Sequence, residues 1–125
     1  MEQIDKIKVL VIEPEKKPYT KFIENTLKSL QNEVGGCIQA VYPWEEPAAV
    51  VCWEESKLHG APFNRALRDD QGKVYDYIAG RFLIVGLGEE DFTSLPPELI
   101  THFSEMFASP EIMLNLGGQL IIVQI

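Results

Sequence analysis

Two rhythms of apolar residues run along this chain. Ile7-Lys8-Val9-Leu10-Val11-Ile12-Glu13 is β-branched, nearly continuously apolar and stopped by Pro14, the pattern of a central strand covered on both faces. Tyr19, Ile23, Leu27, Leu30 and Val34 then recur three and four apart, with Phe22 beside them and polar residues between. That spacing predicts an amphipathic helix over about residues 19–34, with Pro18 in its first turn and Gly35-Gly36 as its stop.

The period then shortens. Residues 37–42, 48–53, 73–79 and 81–87 read as strands, separated by the Trp44-Glu45-Glu46-Pro47 turn, the polar segment 61–72 and Gly80. Asp69-Asp70-Gln71-Gly72 is a turn signal. Leu95, Leu99, Ile100, Phe103, Met106 and Phe107 give a second helix over about 95–108, with Ser94 as its cap and Pro96 or Pro97 in its first turn. Leu120-Ile121-Ile122-Val123 follows Gly117-Gly118 as a final strand.

These elements predict an α+β fold, one domain over residues 1–125. It has a mixed β-sheet of about five to seven strands with both helices packed as a single layer on it. Each β-α-β passage favours a right-handed crossover. The expected core is Val9, Val11, Ile23, Leu27, Leu30, Val51, Leu83, Val85, Phe103 and Ile122. The terminal strand carries no charged side chain and no proline, so it must be paired and covered. Its expected partner is an earlier strand of the sheet, or the same strand of a second chain. Either arrangement makes residues 119–125 necessary for folding.

With 125 residues and 46% hydrophobic content, the chain can bury a core without staples. No apolar run reaches membrane-spanning length and the first residues lack a signal-peptide pattern, so a cytoplasmic location is expected. The net charge is −8, which disfavours nucleic-acid backbones and anionic lipid. Residues 86–125 hold 6 acids and no Lys or Arg, a solvated face, a surface for a basic partner or a mimic of nucleic acid. Cys37 and Cys52 both sit in apolar segments without metal-ligand spacing. Two reduced core thiols are expected, and a disulfide needs neighbouring strands.

No motif announces catalysis, metal or cofactor binding. Gly86-Leu87-Gly88 precedes three acids, which repel phosphate, and those acids read as a solvated loop. His59 and His102 stand alone. The densest polar cluster is Asn64-Arg65-Ala66-Leu67-Arg68-Asp69-Asp70, with Asp76 and Arg81 following. Arg65 and Arg68, three apart, can grip a phosphate or carboxylate if they share a helical turn, with Asp76 orienting one of them. An anion held this way would raise the melting temperature. The alternative is a surface turn whose charges neutralise each other, with Asn64 as a turn former. Trp44 is either an exposed interface anchor or folded over its own hairpin.

Several segments taken together, Val9 to Pro14, Leu30 to Val41, Lys57 to Leu67 and Asp76 to Gly86, resemble the DUF3846 family over about residues 7–90. The resemblance implies a cytoplasmic accessory protein of a bacterial mobile element or phage. It marks Gly35, Gly36, Asn64, Arg65 and Gly80 as landmarks and carries no catalytic residues with it. The expected function is a non-enzymatic protein-interaction module with a protein partner, as monomer or homodimer. The alternatives are an anionic-ligand or enzymatic module built on Asn64, Arg65, Arg68 and Asp76, and an acidic nucleic-acid mimic.

Overall fold

The computed structural model describes residues 5–125. Its main sheet is built from β1 (Lys6–Ile12), β2 (Tyr19–Glu24), β3 (Ile38–Val41), β4 (Ala48–Trp53), β7 (Phe82–Leu87) and the short β8 (Phe92–Thr93). The strand order is β2-β1-β7-β4-β3, with β8 pairing onto β7. Two hairpins lie off this sheet: β5 (Phe63–Arg68) with β6 (Val74–Ala79), and β9 (Glu111–Leu116) with β10 (Gln119–Gln124). The helices are α1 (Leu27–Val34) and α2 (Pro97–Met106).

The α+β class and the two helices agree with the pattern of the sequence. The sheet is not mixed, because every strand pairing is antiparallel. Nor do the helices form one layer. Side chains alternate along β1, β4 and β7, and each face has its own core. Val9, Val11, Val51, Leu83 and Val85 pack with Leu30 and Val34 of α1, whereas Leu10, Ile12, Val50, Phe82 and Ile84 pack with Phe103 and Phe107. Leu67 and Ile78 join this second core, so the β5–β6 hairpin covers the same face as α2. The crossover through α1 carries the chain from β2 at one edge to β3 at the other.

The first predicted helix is in fact a strand and a short helix. Tyr19 to Glu24 is rich in aromatic and β-branched residues, and it pairs with β1 from Lys6↔Glu24 to Val11↔Tyr19. Glu15 takes a left-handed φ of 61° in the turn between the two strands. The helix starts only after Thr26, whose Oγ1 accepts the Ser29 amide at 3.1 Å. Gly35 closes it with φ 96°, a conformation that costs glycine little. Leu27, at the first position of α1, is therefore 59% exposed, while Leu30 is 4% exposed. Ile122 is only half-buried, and the other expected core residues are buried.

These positions give a paired test by urea unfolding. Leu30→Ala is expected to cost ~2–5 kcal/mol as a core truncation. Leu27→Ala should cost less than ~0.5 kcal/mol as a surface change. Equal losses at both sites would place the helix on the sheet in a different rotation.

Three further local readings change. Ser94 does not cap α2, because its Oγ accepts the Lys8 amide at 2.9 Å and fastens β8 to β1. Cys37 is exposed and Cys52 buried, and both are free thiols. Among the described residues the terminal strand joins no strand of the main sheet. It pairs with β9 from Gln119↔Leu116 to Gln124↔Glu111, a partner the sequence reading omitted.

Candidate functional site: a buried arginine knot beside an aromatic trough

Asn64 and Arg65 are adjacent in β5, yet both are fully buried. A regular strand would turn one of them outward. The pairing with β6 slips between Phe63 and Arg65, and such a bulge re-aims side chains. Asn64 Nδ2 donates to the carbonyls of Ile12 and Gly80, each at 2.9 Å. Its Oδ1 accepts Arg65 Nη1 at 2.8 Å. Arg65 Nη2 donates to the carbonyls of Lys16 at 2.6 Å and Phe107 at 3.1 Å. Nε also reaches Phe107, and Nη1 reaches the carbonyls of Glu13 and Asn64.

The guanidinium thus ties the β1–β2 turn and the end of α2 to β5. Burial lowers the Arg65 pKa, and the negative charge of Glu111 works in the opposite direction. All its nitrogens are spent on protein acceptors, and none faces solvent for an incoming anion.

Arg68 points elsewhere. It meets Glu111, a carboxylate only 2% exposed whose Oε1 also accepts the Ala66 amide at 3.1 Å. This fixes the base of the β9–β10 hairpin against β5. Asp76 is on β6 and pairs with Lys57 at 2.7 Å. Asn64 and Arg65 are therefore spent inside the protein, while Arg68 and Asp76, each held in its own ion pair, border the two ends of one opening.

Burial pushes the Asp76 pKa up. Hydrogen bonds from Lys57 and the Tyr77 amide, with the Lys57 charge, outweigh it and hold the carboxyl below its ordinary value. Stability from this pair is present above the unfolded carboxyl pKa and is lost as pH falls through the lowered folded value. Lys57→Met is expected to move the Asp76 titration upward in a carboxyl NMR experiment. An unchanged titration would show that the ammonium does not act on Asp76.

Two depressions lie between the β3–β4 turn, the β5–β6 hairpin and α2. The smaller, ≈ 300 Å³, is lined by Tyr42, Cys52, Trp53, Tyr75, Asp76 and Tyr77 among others. The larger, ≈ 910 Å³, is bordered by Trp44, Arg68, His102 and Met106, with Glu45, Glu46, Asp69 and Asp70 on its rim. Tyr42, Pro43, Leu67 and Tyr75 line both, so the two form one trough. Tyr42 and Tyr75 are 62% and 56% exposed.

Trp44 is half-buried, its ring 4.2 Å from Phe103 and 6.1 Å from Phe107. It forms a wall of the trough and does not project from the protein. His102 lies 3.6 Å from Glu46, and His59 stacks on Trp53 while meeting Glu55 at 3.1 Å. Burial raises the Cys52 pKa, with the Lys57 charge opposing it and Asp76 adding to it, so the thiol is protonated at neutral pH. No group of three or more His, Cys, Asp or Glu able to hold a metal occurs among the described residues. No helix there is long and apolar enough to cross a membrane.

Tyr75, Tyr77 and Lys57 were not among the candidate site residues of the sequence, and Cys52 was read only as a core thiol. The two-residue spacing of Tyr75 and Tyr77 on a predicted strand signalled a shared face. Nothing local indicated that this face would meet Tyr42.

These features define a small α+β protein whose antiparallel sheet is covered on both faces and whose open groove is aromatic with an acidic rim. The chain belongs to the DUF3846 family, a domain of unknown function, whose model matches residues 7–108. No curated protein and no solved structure shows a significant match to it.

Proposed function

We propose that this protein is a cytoplasmic accessory protein of a bacterial mobile element or phage, and that it works as a non-enzymatic protein-interaction module. The trough takes an extended basic segment of a partner protein. The observation that carries this reading is the composition of the trough, an aromatic floor with four carboxylates on its rim. The Arg68 and Lys57 side chains that line it are already matched, by Glu111 and Asp76. A cationic chain gains from that rim, whereas an anion is repelled.

The ≈ 300 Å³ end has the size to accept one large apolar side chain as an anchor. β3 borders the same end through Gln39 and Val41 and is the last strand of its sheet. An extended segment can add to such an edge through main-chain hydrogen bonds.

The reading is tested with a short Lys- and Arg-rich peptide carrying one central Trp, titrated into labelled protein by NMR. Shifts are expected at Tyr42, Trp53 and Tyr75, with binding weakened by added salt. Tyr75→Ala should weaken it ~10-fold, the size of a modest hot spot. An acidic peptide of the same shape binding equally well, or shifts that map away from the trough, would defeat the proposal.

A further inference from the structure

The β9–β10 hairpin lies beyond residue 108, where the family match ends, and it presents an unusual face. The register pairs Ile121 with Leu114 and Val123 with Ile112. Alternation along both strands then places Ile112, Leu114, Leu116, Ile121, Val123 and Ile125 on one side. Five of these six are 37–59% exposed. The opposite side starts at buried Glu111, which holds the hairpin to β5. A two-stranded hairpin with an uncovered apolar face has little stability of its own in water.

We propose that this face is the contact between two copies of the chain, packed hairpin against hairpin about a two-fold axis. Charge singles out this occupant. Each copy carries −8 overall, so most surfaces repel their own kind. Residues 112–125 contain no ionisable side chain, and two such faces meet without opposing side-chain charges. An isologous contact requires a patch that complements itself, and a uniformly apolar strand face does so. A basic partner finds no carboxylate side chain on this face, and an anionic lipid surface finds no cation.

The exposed apolar side chains offer on the order of 400 Å² per copy. With the rim at Gln119 and the turn at Gly117 and Gly118, the total approaches the ~1,000 Å² that a biological interface clears. The contact is therefore a modest one.

Sedimentation of the full chain over a concentration series reads the contact directly. The expected result is a rise from 14.1 kDa towards twice that mass. Leu114→Lys is expected to keep its circular dichroism and remain monomeric at every concentration. Leu58→Lys, at a residue 81% exposed away from the hairpin, should dimerise like the parent. Isotope-filtered NMR on a mixed-label parent sample should show intermolecular contacts among the methyls of Leu114, Ile121 and Val123, so the test does not depend on a variant folding. A parent that stays monomeric, a Leu114→Lys protein that still dimerises, or intermolecular contacts confined to other residues would overturn the proposal. So would a monomeric parent that partitions onto zwitterionic lipid vesicles, which would assign the face to a bilayer.

Discussion

Arg65→Ala is expected to lower the unfolding free energy by ~3–5 kcal/mol, enough to lower the melting midpoint by ~10 °C or more. Arg65 has no exposed surface, and its donors serve carbonyls of Glu13, Lys16, Asn64 and Phe107. Truncation leaves those acceptors without their partner and opens a cavity among them. The gain from no longer burying a charge offsets only part of this loss, because the guanidinium was well satisfied where it lay. Arg65→Lys should recover little. One ammonium cannot replace a planar fork that reaches the β1–β2 turn and the end of α2 together. Urea and thermal unfolding measure both variants. A loss below ~1 kcal/mol for Arg65→Ala would show that water replaces the guanidinium without penalty.

Phe103→Ala is expected to cost a similar ~3–5 kcal/mol, the range for deleting a buried aromatic ring. Phe103 is fully buried, packs in the core with Leu10, Phe82 and Ile84, and supports Trp44. Its loss should also change the trough, since the Trp44 indole is free to sink into the vacated space. Tryptophan fluorescence should report that movement alongside the loss of stability. A variant of near-parent stability with unchanged emission would mean that α2 is not pinned to the sheet through this ring. Arg65 and Phe103 act through neighbouring parts of one region, because Arg65 holds the Phe107 carbonyl just past α2. The double variant should therefore lose less than the sum of the two single losses.

Strands β1, β3, β4 and β7 of the main sheet were legible because each is largely apolar and has Pro or Gly close to at least one end. β4 spans Ala48–Trp53, as the run of apolar residues indicates. The segment Tyr19–Val34 misled because its apolar spacing suits a helix, whereas its first six residues complete a hairpin with β1. Long-range pairing supplied more than local periodicity there. β9 escaped notice because Glu111-Ile112-Met113-Leu114 alternates poorly, and its buried Glu111 makes sense only opposite Ala66 and Arg68.

The candidate site divides along the same line. Asn64 and Arg65 stood out as residues, but as part of a surface cluster that either grips an anion or neutralises its own charges. The β5 bulge and the converging carbonyls of distant segments turn them into an internal lock. The trough was legible only in fragments, as Trp44 with Glu45 and Glu46 in one turn and as Asp69 and Asp70 in another.

By itself the sequence determined the α+β class, strands β1, β3, β4 and β7, the stop of α1 at Gly35 and most of the core, because strand and helix periods and glycine's left-handed freedom are local properties. Which face each helix covers, where Arg65 spends its charge and which aromatics share one groove were decided only by tertiary structure. Those features depend on contacts between residues far apart in the chain, where burial and hydrogen-bond satisfaction outweigh local preference.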